Sequence, residues 1–180
     1  MNTGRTVGRT PSSGVPSGSD PLVALPDPLV IGYGNSLRGD DGAGPFVATQ
    51  LGAGAIACHQ LTPELAEPIS QARRVIFVDA HAGVPAGRIT IQPVQPRSSA
   101  AIHRFDPESL LAWSQQLYGR APEAVLIGIG AASFALGEGL SPAAKRAARE
   151  ALRAIRKFAA LPSAKRWYTE SVSEILASSH

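Results

Sequence analysis

The chain has 180 residues, a net charge of +3, 44% hydrophobic residues, 6% aromatics and a single cysteine, Cys58. That length predicts one domain with a real core, built mainly from Val, Ile, Leu and Ala because aromatics are so few. No basic stripe with interleaved aromatics suggests a nucleic-acid surface, no apolar run approaches the roughly 18 residues of a membrane helix, and one cysteine excludes an internal disulfide or multi-cysteine zinc site, so a cytoplasmic, reducing setting is expected.

Residues 1–27 are rich in Gly, Ser, Thr and Pro, carry Arg5 and Arg9, and hold no acid before Asp20. No hydrophobic core follows the arginines, as a secretory signal would require, and the Gly and Pro content opposes an amphipathic transit helix. A disordered extension, or an over-called start site, is expected there, then one domain over residues 28–160 and a polar tail over residues 161–180.

The domain opens on Leu29–Ile31, an apolar run expected as a buried parallel strand, and continues through Gly32-Tyr33-Gly34 to the adjacent acids Asp40 and Asp41. A dinucleotide loop of the GxGxxG type needs glycine at position 37, which is Leu37, and no Gly-Lys-Ser/Thr follows to make a phosphate loop. Two carboxylates about 4 Å apart repel by roughly 4 kcal/mol at a surface-like dielectric. A phosphate would be repelled there too, whereas a cation, a shared proton or a helix dipole would offset the cost. A cation-facing site is therefore favoured over an anion-binding one, with helix capping by both aspartates as the other reading.

Pro45–Leu51 reads as the first helix and Ala55–Leu61 as a second strand. Thr62-Pro63-Glu64 starts a helix, with Thr62 as N-cap and Leu65, Ile69 and Ala72 on its apolar face. Val75–Val78 is a continuous apolar run suited to a central parallel strand, ending at Asp79. Residues 88–94 alternate and follow a short loop, which predicts an antiparallel edge strand. Asp106-Pro107-Glu108 opens a further helix with Leu110, Leu111, Trp113 and Leu117 as apolar positions, stopped by Gly119. Ala124–Ile129 is another buried strand, and Ser141-Pro142 caps a last helix with Ala147, Leu152, Ile155 and Phe158 facing inward. The expected fold is α/β: three layers, α/β/α, around a mostly parallel sheet of about five strands.

In such sheets the carboxyl ends of the strands gather at one edge, where ligands bind. Asp40 and Asp41 follow the first strand, Asp79 ends the third, and His103 lies in a loop leading into a helix. Carboxylates with one imidazole make a mixed oxygen and nitrogen donor set suited to a transition metal such as zinc or nickel. An acid closing an apolar strand is costly without a partner, which singles out Asp79. His81 is an accessory candidate or a solvated loop residue, and Glu138 either serves a helix dipole or a ligand. Cys58 and His59 are adjacent on an expected strand and so point to opposite faces, which makes Cys58 a small core residue rather than a nucleophile. No Gly-x-Ser-x-Gly elbow supports a serine hydrolase.

Residues 32–44, Gly-Tyr-Gly-Asn-Ser-Leu-Arg-Gly-Asp-Asp-Gly-Ala-Gly, strongly resemble the N-terminal signature of the hydrogenase maturation endopeptidases. Further similarity follows in order at Gln60–Leu65, Val78-Asp79-Ala80, His103 and Gly137–Pro142, so that the resemblance covers roughly residues 28–160. It implies a phosphorylase/hydrolase-like fold and an aspartic-type peptidase that removes the C-terminal extension of a nickel–iron hydrogenase large-subunit precursor. It implies Asp41, Asp79 and His103 as the metal-contacting set, with Asp at the first position where some relatives carry the longer Glu. The nickel would belong to the precursor, with no resident cofactor, and the protein would act as a monomer away from membranes and nucleic acid. Asp40 is then expected to cap the helix and order the turn.

Two other readings fit an acidic strand edge. A receiver-like phosphoacceptor domain would hold magnesium on similar acids, but it needs a lysine at the end of a later strand, and Val125–Gly130 ends in Gly-Ile-Gly. A non-catalytic metal-sensing relative would keep the site and lack cleavage.

Overall fold

The computed structural model of the protein describes residues 27–97 and 105–161. In chain order they form β1 (Leu29–Tyr33), α1 (Ala43–Leu51), β2 (Ala55–Cys58), α2 (Ala66–Gln71), β3 (Arg74–His81), β4 (Ile89–Val94), α3 (Pro107–Tyr118), β5 (Glu123–Gly130) and α4 (Pro142–Ala160). Short 3-10 turns at Gly39–Gly42 and Pro63–Leu65 precede α1 and α2. The five strands lie in the order β2-β1-β3-β5-β4. All neighbours are parallel except β4, which runs antiparallel to β5 at the edge, as the alternation at residues 88–94 predicts.

Alternating side chains give the sheet two apolar faces. Val30, Ile76, Val78, Val125, Ile127 and Ile129 pack under α1 and the buried Ala147, Ala151, Ile155 and Phe158 of α4. Leu29, Ile31, Val75 and Phe77 face the other way, against Ile69 of α2 and Leu110 and Leu111 of α3. The result is the expected three-layer arrangement.

Several elements depart from the sequence reading for identifiable reasons. β3 does not end at Asp79. Its β1 neighbour pairs as far as Val78, but β5 is longer and carries β3 on to His81, opposite Gly130. β2 stops at Cys58 rather than Leu61, matching the end of β1 at Tyr33. Thr62 does not cap the helix backbone; its hydroxyl bonds the Glu64 carboxylate and lowers that group's pKa. In α3, Asp106 and Ser109 form a reciprocal capping box, with Ser109 N–H donating to the Asp106 carboxylate at 2.7 Å. Leu117 is exposed rather than packed; the buried stripe closes at Ser114, whose hydroxyl donates to the Arg120 carbonyl at 2.6 Å.

One buried ion pair ties the amino-terminal edge of the sheet together. Arg74, only 4% exposed, begins β3. Its Nε donates to Asp27 at 2.9 Å and its Nη2 to the other carboxylate oxygen at 3.0 Å, while Nη1 donates to the Leu161 carbonyl at 3.2 Å. This planar fork joins the approach to β1, the start of β3 and the end of α4, a role that suits Arg and not Lys. Arg74→Leu strands the Asp27 carboxylate and the Leu161 carbonyl, and is expected to lower the unfolding free energy by about 3 kcal/mol, as measured by urea denaturation.

Candidate functional site

The glycines of the first loop serve contact between backbones. A β-carbon on Gly32 would lie 2.0 Å from the Gly44 carbonyl oxygen, and one on Gly44 would lie 2.3 Å from the Tyr33 oxygen and 2.5 Å from that of Val78. No side chain fits at such separations, so glycine at 32 and 44 lets α1 lie directly on β1 and β3. This close approach delivers the 3-10 turn with Asp40 and Asp41 to the carboxyl ends of the two central strands.

The two acids then part. Asp40 is 1% exposed, and its carboxylate accepts from Ala132 N–H at 2.7 Å, Ser133 N–H at 3.3 Å, Ser141 N–H at 2.6 Å and the Ser141 hydroxyl at 2.8 Å. Ser141 is in turn the N-cap of α4, its oxygen accepting from Ala144 N–H at 3.1 Å. Asp40 therefore does not cap α1, whose N-cap is Gly42 with no side-chain bond; it holds the start of α4 and the loop after β5. Burial alone would raise its pKa, but the four donors outweigh that and hold it below the ordinary carboxylate value.

Asp41 and Asp79 face a common cleft of about 630 Å³ at the β1 and β3 ends, which is also lined by Tyr33, Asn35, Arg38, His59 and Phe105. The strand order reverses beside β1 here, the place where open α/β sheets bind ligands. Asp41 accepts from Asn35 N–H at 2.9 Å, which fixes its carboxylate across the glycine-rich turn. Asp79 lies partly buried on β3, one register step beyond the Gly32–Val78 pair and so alongside Tyr33. The Tyr33 hydroxyl donates to it. Burial is the main cause that pushes Asp79 up to about 6; the Tyr33 bond opposes the shift and the Asp41 charge adds to it. Burial, followed by the Asp79 charge, raises Tyr33 far above the usual phenol value, so Tyr33 remains a neutral donor.

His103 lies outside the described residues. Among the described residues no group of three His, Cys, Asp or Glu side chains stands close enough to hold a metal ion. His81 is not in a loop: it ends β3, two residues from Asp79 and so on the same face of the strand, and its Nδ1 accepts from Gly83 N–H at 3.0 Å. Glu138 is exposed and does not line the cleft. Cys58 is half-buried against the second core face, and burial pushes its thiol up, as befits a packing residue. Two cleft residues escape a strand-end reading. Tyr33 is visible only through the β1–β3 register, and His59 enters the cleft because β2 ends one residue before it.

No protein-family model and no curated protein matches the chain. Solved structures do. The NiFe hydrogenase maturation protease HycI from Thermococcus kodakarensis KOD1 is 25% identical, with a TM-score of 0.57 over 72% of this chain and 90% of that one. The hydrogenase 2 maturation peptidase from Thaumarchaeota archaeon SCGC_AB-539-E09 is 24% identical, with a TM-score of 0.55 over 74% and 97%. The E. coli hydrogenase maturating endopeptidase HybD shares the fold at 19% identity, with a TM-score of 0.57 over 70% and 87%. These neighbours are peptidases, and this chain shares their α/β fold and carries an acidic cleft at its strand ends. The chain shares its fold with NiFe hydrogenase maturation proteases over most of its described length.

The two acids give stability opposite dependences on pH. Asp40 has a lowered folded pKa, so its contribution is present above the unfolded value and lost as pH falls. Asp40→Asn is expected to cost about 3 kcal/mol at neutral pH, and the penalty should shrink as denaturation is repeated below about pH 4. Asp79 has a raised folded pKa, so stability falls as pH rises from about 4 to about 6 and the deficit persists above. Asp79→Asn should therefore be the more stable protein by about 2 kcal/mol at pH 7.5, with the gap closing by about pH 4.

Proposed function

We propose that this protein removes the C-terminal extension of a nickel–iron hydrogenase large-subunit precursor after nickel has been inserted. Asp41, Asp79 and His103 contact the precursor's nickel, which arrives as part of the substrate, and the protein needs no resident cofactor. It acts as a monomer in the cytoplasm. Among the described residues no helix is long and apolar enough to cross a membrane.

The observation that carries this reading is the pairing of Asp41 and Asp79 in one cleft at the switch point of a fold shared with HycI and HybD. Two converging oxygen donors suit a divalent cation, and each carboxylate is already positioned, Asp41 by the Asn35 N–H and Asp79 by the Tyr33 hydroxyl. An imidazole from His103 would complete a mixed donor set. Cleft and metal contact would thus act together as a checkpoint: the scissile peptide is positioned when the nickel is in place.

Nickel-loaded and nickel-free precursors, incubated with the purified protein and followed by the mobility shift of the shortened subunit, test the proposal. The wild type should cut only the loaded form. Asp79→Asn and His103→Ala should remain folded by circular dichroism and reduce cleavage by at least about a hundredfold. Normal processing by either variant would remove the assignment.

A further inference from the structure

Two large apolar side chains stand exposed on two loops that each contribute a residue to the cleft. Leu37 is 57% exposed and Leu136 is 85% exposed. They belong to different loops, one before α1 and one before α4, yet their backbones are joined. Gly137 N–H donates to the Leu37 carbonyl at 3.0 Å and Gly39 N–H donates to the Gly137 carbonyl at 2.8 Å, with Arg38 and Gly137 paired as an isolated parallel bridge. Asp40 N–H donates to the Ser133 carbonyl at 3.1 Å, and the Asp40 carboxylate holds both ends of the second loop. The backbone under the leucines is thus fixed, while the side chains bury little within the domain. Leucines held out in this way add nothing to the core; unlike the exposed Leu117 on α3, they sit on the bridged loops that border the cleft.

The position of the ledge identifies what it contacts. Arg38 and Phe134, on the same two loops, line the cleft, but neither leucine does. A small ligand confined to the cleft would not reach them, whereas a polypeptide extending from the cleft over these two loops would. We propose that Leu37 and Leu136 form a docking ledge for an apolar segment of the protein substrate, flanking the peptide that enters the cleft. This proposal rests on the peptidase function given above. The ledge contributes to capture of the substrate and touches none of the reacting groups.

Steady-state cleavage of the nickel-loaded precursor by Leu37→Ser, Leu136→Ser and the double variant tests it. Leu117→Ser, at a position 59% exposed on α3, serves as the matched control. The double variant should raise KM about tenfold, with kcat and melting temperature close to wild type, and the control should match wild type. A KM within about twofold of wild type for the double variant overturns the ledge. If the wild type does not cut the precursor, the peptidase reading has failed, and calorimetric titration with the same precursor judges the ledge alone. Weaker binding by the double variant then supports it, and equal binding, or none by either protein, overturns it. Light scattering covers a second copy as occupant: a wild-type dimer that the double variant dissolves overturns the proposal in favour of self-association.

Discussion

The buried carboxylate of Asp40 is the interaction on which the arrangement of the cleft depends. A charged group at 1% exposure persists only when donors replace its water, and four donors from two stretches do so here. Those stretches, the loop after β5 and the cap of α4, lie about 90 to 100 residues away in sequence. One side chain therefore closes a long loop and fixes the rim against the first turn. The same turn carries Asp41, so a constraint made on one side of the sheet sets the position of a carboxylate on the other.

Adjacent residues can do opposite work because the 3-10 turn sends their side chains in different directions. Asp40 meets four donors and is stabilised as an anion. Asp41 and Asp79 line the cleft, where the charge of Asp79 is opposed by burial and by Asp41. Tyr33 relieves part of that cost as a neutral donor. The cleft is thus left with one carboxylate whose charge is held only weakly, a condition associated with function more than with folding.

Much of this was legible in the sequence because it follows from short-range rules. The apolar runs ending near Tyr33, Asp79 and Gly130, the alternation at residues 88–94 and the proline-marked helix starts at Asp106 and Ser141 all report local periodicity and capping. Asp41 and Asp79 share a cleft, as strand-end logic requires of acids after neighbouring parallel strands. What was hidden depends on partners far apart in the chain. The service of Asp40 to α4 instead of α1 needs the folded loop after β5. The role of Arg74 needs Asp27 and Leu161 beside it. Tyr33 and His59 become cleft residues only once the strand register and the early end of β2 are known. His103, drawn into the site by its motif, lies outside the described residues.

On the proposed function, the cation reaches the cleft already ligated by its substrate. Among the described residues two carboxylates converge without a third His, Cys, Asp or Glu close enough to close a cage. The raised proton affinity of Asp79 means that a proton competes with a cation at this carboxylate. An ion already ligated by another protein needs only a few further donors, and its charge would remove the repulsion that Asp79 experiences from Asp41. On the proposed function, the repulsion between the two acids is what makes the site discriminate: it gains most from a precursor that brings its metal and least from one that does not.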